Sequence, residues 1–158
     1  MEIQTRPIRQ HDLPEVMHMI SELAQFHGDT AKTDLNQLAR DVCGPHPWFT
    51  VIVAEDRTGH LQGYAALIAL GQLQFGQRGM DMHHLFVRPE ARQMGVGAAL
   101  IDACASHCRA KGCVVMTVGT HPDNDAAAAF YENRGFVRRS PSGPRFTIAL
   151  DQRDQPPT

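Results

Sequence analysis

The 158-residue sequence predicts one α/β domain in which helices flank a mixed β-sheet. Three observations support this prediction. Short runs of alternating or continuous apolar residues recur along the chain, as expected for strands. Longer segments with apolar residues every three to four positions lie between some of these runs, as expected for amphipathic helices. One strand–helix–strand unit, residues 83–119, predicts a right-handed crossover and therefore two parallel strands within a sheet that also contains hairpins.

The N-terminal part of the chain predicts one strand followed by two helices. The segment EIQTRPI alternates and ends at Pro7, which suits a first strand. The segment DLPEVMHMISELAQFH has one apolar helical face, Asp12 as its candidate N-cap, Pro14 in its first turn and Gly28 at its end. The segment TDLNQLARDV predicts a second, short helix capped by Thr33.

The middle of the chain predicts four strands and a helix. The segment WFTVIVAEDRTGHLQGYAALIAL predicts an antiparallel hairpin around a turn at residues 56–59. RGMDMHHLFV predicts the fourth strand, and a helix follows from about Gly97 to Lys111, ended by Gly112. The continuous apolar run in CVVMTVG predicts a buried strand.

The C-terminal part predicts a helix from Asn124 to Arg134, stopped by Gly135, and a closing hairpin in FVRRSPSGPRFTIAL. The predicted order is therefore β-α-α-β-β-β-α-β-α-β-β. We expect a single domain over residues 1–150 and a polar C-terminal tail, DQRDQPPT, over residues 151–158.

Composition and charge argue against several classes of function. The net charge of −2 and the pI of about 6.5 give no electrostatic basis for binding nucleic acid or an anionic membrane. No apolar run approaches the length that spans a bilayer. The N-terminal segment MEIQTRPIRQ has no apolar signal-peptide region, so we expect a cytoplasmic protein.

The cysteines predict free thiols rather than disulfides or a metal site. None of them has the CxxC spacing typical of zinc ligands, and Cys104 and Cys108 fall on the apolar stripe of a predicted helix. His107 could face a metal together with these two, but small apolar side chains belong on such a stripe. We therefore predict no metal.

The segment VRPEARQMGVGA joins a predicted strand to a predicted helix and predicts an anion-binding loop. Pro89 ends the strand, while Gly95 and Gly97 let the backbone approach a ligand closely. The unpaired N–H groups of the helix start and the charge of Arg92 suit a pyrophosphate. The alternative is a plain strand-to-helix connection that carries glycines. The Rossmann and Walker A patterns are both absent.

Two motifs make this sequence resemble the GNAT superfamily of N-acetyltransferases. LFVRPEARQMGVGAAL resembles the family's motif A, which it matches at Arg92, Gly95 and Gly97. About forty residues later, NDAAAAFYENRGF resembles motif B. The N-terminal half, notably ISELAQF and GPHPWFTVIVAE, is most similar to the spermidine/spermine and thialysine acetyltransferase branch. The resemblance implies a centrally splayed sheet and acetyl-coenzyme A as co-substrate.

The resemblance also implies which residues hold the coenzyme. The pyrophosphate would lie on backbone amides beside Arg92, those of Gln93, Met94, Gly95, Val96, Gly97 and Ala98. The pantetheine would pair, like an added strand, with the backbone of Leu85, Phe86 and Val87. Its arm would contact Asn124 and Ala127 and pack against Phe130.

Two residues are candidates for acid–base chemistry. The motif B position of Tyr131 implies a general acid for the coenzyme thiolate, and the alternative is a core tyrosine. His83 lies where related enzymes place a group that serves the incoming amine, so we expect a general base or a substrate-orienting group. The alternative is a hydrogen-bonded core histidine. Because side chains alternate along a strand, we expect His84 to point to the opposite face in a structural role.

The pair His83–His84 departs from the acidic pair of the spermidine/spermine branch. Two imidazoles do not attract a polycation, so we expect a small primary amine that is singly charged, zwitterionic or anionic. The predicted function is acetyl transfer to such an amine by direct attack in a ternary complex. The alternatives are a protein N-terminal acetyltransferase and a coenzyme-A-binding module without catalysis. The related branch also implies a homodimer.

Overall fold

A computed structural model describes residues 1–150. In chain order, the helices and strands of this part are β1 Gln4–Pro7, α1 Leu13–Phe26, α2 Leu35–Cys43, β2 Thr50–Glu55, β3 Leu61–Gln72, β4 Gln77–Val87, α3 Val96–Ala110, β5 Val115–Val118 and α4 Asp125–Asn133. Residues 1–124 form one compact unit, and a second unit begins at Asp125. The predicted polar tail, residues 151–158, lies outside the described residues.

The first unit is built on a five-stranded mixed sheet in the order β1-β2-β3-β4-β5. The first four strands pair antiparallel, and β5 pairs parallel to β4. Val51, Val53 and Tyr64 pack with α1 and α2 on one face. Because side chains alternate along a strand, Ile52 and Ala65 lie on the other face. The predicted α/β fold with a mixed, helix-flanked sheet is confirmed. Among residues 1–150, no helix is long and apolar enough to cross a membrane.

All four cysteines of the described chain are free thiols. Cys104 and Cys108 are buried on α3, and burial raises the pKa of both thiols. Neither is therefore a ready nucleophile at neutral pH.

The start of α2 differs from the prediction by one residue. Asp34, not Thr33, is the N-cap: its Oδ1 accepts a hydrogen bond from the Gln37 N–H at 2.8 Å. The Gln37 side chain in turn accepts from the Asp34 N–H at 3.0 Å. This reciprocal capping box requires Gln or Glu three residues after the cap, and Gln37 stands at that distance from Asp34.

Asp12 occupies the N-cap position of α1, as predicted, but its side chain makes no capping bond. Instead, its carboxylate accepts hydrogen bonds from Arg6 at 2.7 and 3.0 Å and from the Arg9 N–H at 2.7 Å. Arg6 also donates to Glu55 at 2.9 Å. Burial alone would raise the pKa of Asp12, but the bonds from Arg6 and Arg9 outweigh it and lower that pKa. Arg6 on β1 therefore bonds both to Asp12 at the start of α1 and to Glu55 on β2, and it links these three elements.

Asp12→Asn is expected to destabilise the protein by about 3 kcal/mol at pH 7, because Arg6 stays buried without its main counter-charge. The folded-state pKa of Asp12 is depressed, so its contribution is present above the unfolded pKa and is lost as the pH falls through the folded value. Urea titrations at pH 7 and at pH 3 measure both effects. The control is Asp41→Asn, which breaks an exposed pair with Arg40 and should cost less than about 0.5 kcal/mol. Equal losses in the two variants would contradict this account.

Two C-terminal predictions are wrong for the described structure. The strand β5 is not buried: Val115 is 43% exposed and the preceding Val114 is 68% exposed. A continuous apolar run shows that the segment is hydrophobic, whereas burial requires neighbouring elements on both sides. Within residues 1–150, β5 pairs only with β4. The closing hairpin does not form either, since residues 136–150 contain no strand. An isolated hairpin is marginally stable, and Pro141 and Pro144 remove backbone donors from it.

Candidate functional site

The strand β4 extends beyond its pairing with β5 and leaves an open backbone edge. Pairing with β5 ends at Met82, whereas pairing with β3 continues to Val87. The Arg88 N–H donates to the Gln62 carbonyl at 2.9 Å. Because hydrogen-bonded pairs alternate in an antiparallel ladder, the backbone groups of Leu85 and Val87 point away from β3, toward the open edge. A strand-like ligand can bind there.

The three residues predicted to pair with pantetheine therefore play different parts. Leu85 offers its N–H and carbonyl at the open edge, and Val87 offers its N–H, because the Val87 carbonyl accepts a hydrogen bond from Arg92. By the same alternation, the backbone of Phe86 bonds to Tyr64 on β3. Its side chain is buried in the core under α1.

The loop between β4 and α3 turns through two residues with left-handed backbone, Gln93 at φ 63° and Gly95 at φ 85°. Gln93 is the only non-glycine residue of the described chain with positive φ. Such a conformation costs about 1 kcal/mol or more and is often found at ligand sites. The loop thus resembles a binding loop more than a plain connection.

The start of α3 supplies unpaired backbone donors. Gly95 is its N-cap and provides no side-chain capping bond. The N–H groups of Val96, Gly97 and Ala98 belong to the first turn and have no partner inside the helix. The side chain of Val96 is buried and anchors this turn against the sheet. Together with the positive end of the helix dipole, these groups can hold an anion.

Arg92 lies at the rim of this loop, as predicted, and makes two contacts that the sequence did not suggest. Its Nε donates to the Val87 carbonyl at 3.1 Å, and its guanidinium lies 5.9 Å from the Phe26 ring centroid. Its side chain thus links the loop to β4 and to the end of α1. Met94, two residues further along the loop, is 51% exposed.

A cleft of about 350 Å³ opens between the end of α1, β4 and this loop. Its lining consists of Glu22, Gln25, Phe26, Phe86, Pro89 and Arg92. Arg88 holds α1 beside the cleft. Its guanidinium nitrogens lie 3.5 Å from carboxylate oxygens of Glu15 and Glu22 on α1, and its Nε donates to the Leu61 carbonyl at 2.7 Å. The cleft is large enough for a small molecule.

The two histidines lie side by side, which corrects the prediction that they point to opposite faces. Ala66 pairs with His84 and Leu67 with Met82, so His83 is the extra residue of a β-bulge. A bulge breaks the two-residue alternation of side chains. The two imidazole rings stack with centroids 4.5 Å apart and planes 13° apart.

These stacked rings lie in different environments. His83 is exposed, and its ring also stacks on Phe49 at 5.8 Å. His84 is half-buried, and its Nδ1 lies 3.0 Å from the Tyr64 hydroxyl. Burial, followed by the nearby His83 and His27, lowers the pKa of His84 to about 4. His84 is therefore neutral at physiological pH, and His83 is the more exposed of the two rings.

Asn124 is the last residue of the first unit, and the other motif B residues lie on α4 or directly after it. The Asn124 N–H donates to the His121 carbonyl at 3.0 Å just before the helix starts. Ala127 lies three residues before Phe130 and four before Tyr131, so it neighbours both on the helix surface. The Tyr131 ring contacts those of Phe130 and Phe136, each at a centroid distance of 5.6 Å. Burial raises the pKa of Tyr131, so its phenol keeps its proton at neutral pH.

Sequence reasoning missed the ring partners of this site: Tyr64 on β3, Phe49 before β2 and Phe26 on α1. One signal was available for Tyr64. It is the only hydroxyl in the apolar run GYAALIAL, and a buried phenol needs a hydrogen-bond partner. Phe49 and Phe26 carry no such signal, because aromatic residues at strand and helix ends are common.

Comparisons with known sequences give a consistent result. A sequence model described as the acetyltransferase (GNAT) family matches residues 13–136. A thialysine N-epsilon-acetyltransferase from Sus scrofa is 27% identical over 139 residues, covering 82% of this chain and 81% of that protein. An L-methionine sulfoximine/L-methionine sulfone acetyltransferase from Pseudomonas aeruginosa is 27% identical over 133 residues, covering 79% and 74%. These matches confirm the resemblance identified from the two motifs.

Comparisons with solved structures support the same fold. An aminoglycoside acetyltransferase from an uncultured soil metagenomic sample, in complex with sisomicin, aligns with a TM-score of 0.77 and 19% identity, covering 93% of this chain and 97% of that one. A Trypanosoma brucei acetyltransferase aligns with a TM-score of 0.73 and 21% identity, covering 93% and 100%.

Proposed function

The chain belongs to the acetyltransferase (GNAT) family and is an acetyl-transferring enzyme, and from this premise we propose its co-substrate, acceptor and mechanism. It transfers an acetyl group from acetyl-coenzyme A to the primary amine of a small molecule, by direct attack within a ternary complex. One observation carries the proposal: the open edge of β4 leads directly into a glycine-bearing loop and the unpaired amides of a helix start.

The coenzyme is proposed to bind along this path. Its pyrophosphate lies on the backbone amides from Gln93 to Ala98, beside the charge of Arg92. Its pantetheine pairs with β4 at Leu85 and Val87 and covers Phe86. Asn124, Ala127 and Phe130 are the further proposed contacts of the pantetheine arm, as motif B implies.

The acceptor is proposed to be a small amine rather than a polyamine. Two relatives are named for thialysine and for L-methionine sulfoximine, both of which are amino acids. His83 and His84 stand on β4 where the spermidine/spermine branch has an acidic pair. Two imidazoles do not attract a polycation.

In the proposed reaction, His83 takes a proton from the substrate ammonium, directly or through water. The free amine nitrogen attacks the thioester carbonyl and forms a C–N bond. The tetrahedral intermediate collapses as the C–S bond breaks, and Tyr131 donates its phenolic proton to the leaving thiolate. The product nitrogen loses its extra N–H proton to solvent. His83 then releases its proton to solvent and the Tyr131 phenolate takes one up, so one proton is released per acetyl transfer. No covalent acetyl-enzyme is formed, which agrees with the buried, high-pKa thiols of Cys104 and Cys108.

An amine-panel assay tests the function. Release of free thiol from acetyl-coenzyme A is followed over amino acids, simple amines, polyamines and peptides with free N-termini, and the product mass is determined. The proposal expects an acetylated small amine as the best product. Turnover of peptides alone would indicate a protein N-terminal acetyltransferase, and coenzyme binding without turnover of any amine would indicate a binding module.

The pH dependence of the rate tests the base. An imidazole accepts a proton only in its neutral form, so a rate that depends on such a base rises with pH. His83→Phe keeps a ring to stack on Phe49 but has no basic nitrogen. It should lower kcat/KM by about 10²-fold near neutrality and flatten this rise. A pH profile that overlays the parent's would place the base elsewhere.

Several sequence predictions stay predictions: one domain over residues 1–150, a homodimer, a cytoplasmic location, and no nucleic-acid, membrane or metal partner. Size-exclusion chromatography with light scattering measures the oligomeric state directly.

A further inference from the structure

The hydrogen bond between Tyr64 and His84 determines which nitrogen of His84 carries the proton. Tyr64 is 1% exposed, so its hydroxyl proton needs an acceptor within the protein. Within residues 1–150, the partner of this hydroxyl is His84 Nδ1, at 3.0 Å. The hydroxyl therefore donates to Nδ1, and the neutral ring of His84 carries its proton on Nε2.

The orientation of the His84 ring is fixed on two sides. His83 stacks on its face, and the Tyr64 ring meets it edge-on with centroids 6.0 Å apart. In the described part of the chain, His84 Nε2 makes no hydrogen bond, and this atom is not fully buried. Nε2 is therefore left to bind a ligand atom. The titratable groups that act on this ring are Tyr64 on β3, His83 on β4 and His27 at the end of α1.

The tautomer decides what this ring can bind. A ring with its proton on Nδ1 would present a lone pair at Nε2 and accept a hydrogen bond from an ammonium group. A ring with its proton on Nε2 presents an N–H and binds an oxygen instead. Two adjacent imidazoles on one face can thereby take different roles, since only the exposed His83 is left to accept a proton.

We propose that Tyr64 is a positioning residue that holds His84 as an Nε2–H donor, and that this N–H binds a carboxylate oxygen of the acceptor. This assignment rests on the proposed acetyl transfer. It narrows the acceptor to amines that also carry a carboxylate, with α-amino acids as the simplest case. His83 then receives the proton of the amine while His84 orients the molecule.

Long-range proton–nitrogen NMR of the full chain tests the tautomer without any turnover. His84→Phe assigns the signals of this ring by their loss. The expected result is a protonated Nε2 and an unprotonated Nδ1 in the parent, and a mixture of both tautomers in Tyr64→Phe. That variant keeps the ring in the core, and its circular dichroism checks the fold. A protonated Nδ1 in the parent, or an unchanged tautomer in Tyr64→Phe, overturns the proposal.

Kinetics test the substrate class. The best amino acid of the panel is compared with the amine formed by its decarboxylation. The parent should prefer the amino acid, and Tyr64→Phe should reduce that preference about tenfold, mainly through KM. The matched control Tyr131→Phe should slow both substrates equally.

Two kinetic results overturn the carboxylate assignment: a parent that prefers the decarboxylated amine, and a Tyr64→Phe variant that loses both activities equally. If no amine is acetylated at all, the proposed function fails, whereas the NMR result still decides whether Tyr64 sets the tautomer.

Discussion

Gly95→Val and Gly97→Val are each expected to abolish the binding of acetyl-coenzyme A, for which we expect a micromolar Kd. A branched side chain at either position fills the space over the first-turn amides where the pyrophosphate is proposed to lie. Gly95 also has φ 85°, a conformation that a branched residue adopts only with strain. Isothermal titration calorimetry measures the loss directly.

The turn between β2 and β3 provides a matched control for Gly95. Gly59 has φ 86°, and a Cβ added at either glycine meets no atom within 4 Å. Gly59→Val therefore carries the same backbone strain in a turn outside the β4–α3 loop, and it should bind the coenzyme as the parent does. A ligand at 100-fold its Kd stabilises a protein by about 2.7 kcal/mol, so a thermal shift should appear in the parent and in Gly59→Val. Parent-like binding by both loop variants would refute the coenzyme site.

Tyr131→Phe is expected to lower kcat by about 10²-fold with little change in coenzyme affinity, because only the proton donor is removed. The phenylalanine ring can keep the contacts with Phe130 and Phe136. Because burial raises the pKa of Tyr131, the parent phenol remains protonated throughout the neutral range and is ready to donate. Steady-state rates at saturating amine, with coenzyme affinity measured separately, test this.

Two results would count against a catalytic Tyr131. Full activity in Tyr131→Phe would mean that the ring has a structural role only. A rise in the coenzyme Kd that accounts for the whole loss of rate would mean that Tyr131 binds the coenzyme rather than protonating its thiolate. The thermal stability of Tyr131→Phe, compared with the parent, checks that the fold is intact.

Local patterns in the sequence were sufficient to predict most of the helices and strands of this protein. The periodicity of apolar residues identifies the elements, and Pro7, Gly28 and Gly112 mark where elements end. Both kinds of signal act within a few residues of the chain. The β4–α3 loop belongs to the same class of signal. Its glycines and the following helix start are contiguous, so an anion-binding site could be inferred before any tertiary contact was known.

The limits of this reasoning are clearest at the strand and helix ends. The capping box of Asp34 could have been read from Gln37, since both partners are local. The actual partner of Asp12 could not, because Arg6 reaches it only once β1 lies against the start of α1. The closing hairpin is predicted from the local sequence alone, but a strand also needs a neighbouring strand to pair with, and residues 136–150 contain none.

The arrangement of the two histidines depends wholly on the pairing of β4 with β3. The sequence places His83 and His84 on a strand, and strict alternation would then send them to opposite faces. One extra residue in the ladder, opposite Ala66 and Leu67, brings both rings to the same face and His84 within reach of Tyr64. Register is set by contacts between residues about twenty positions apart, and local periodicity contains no information about where such a ladder slips by one residue.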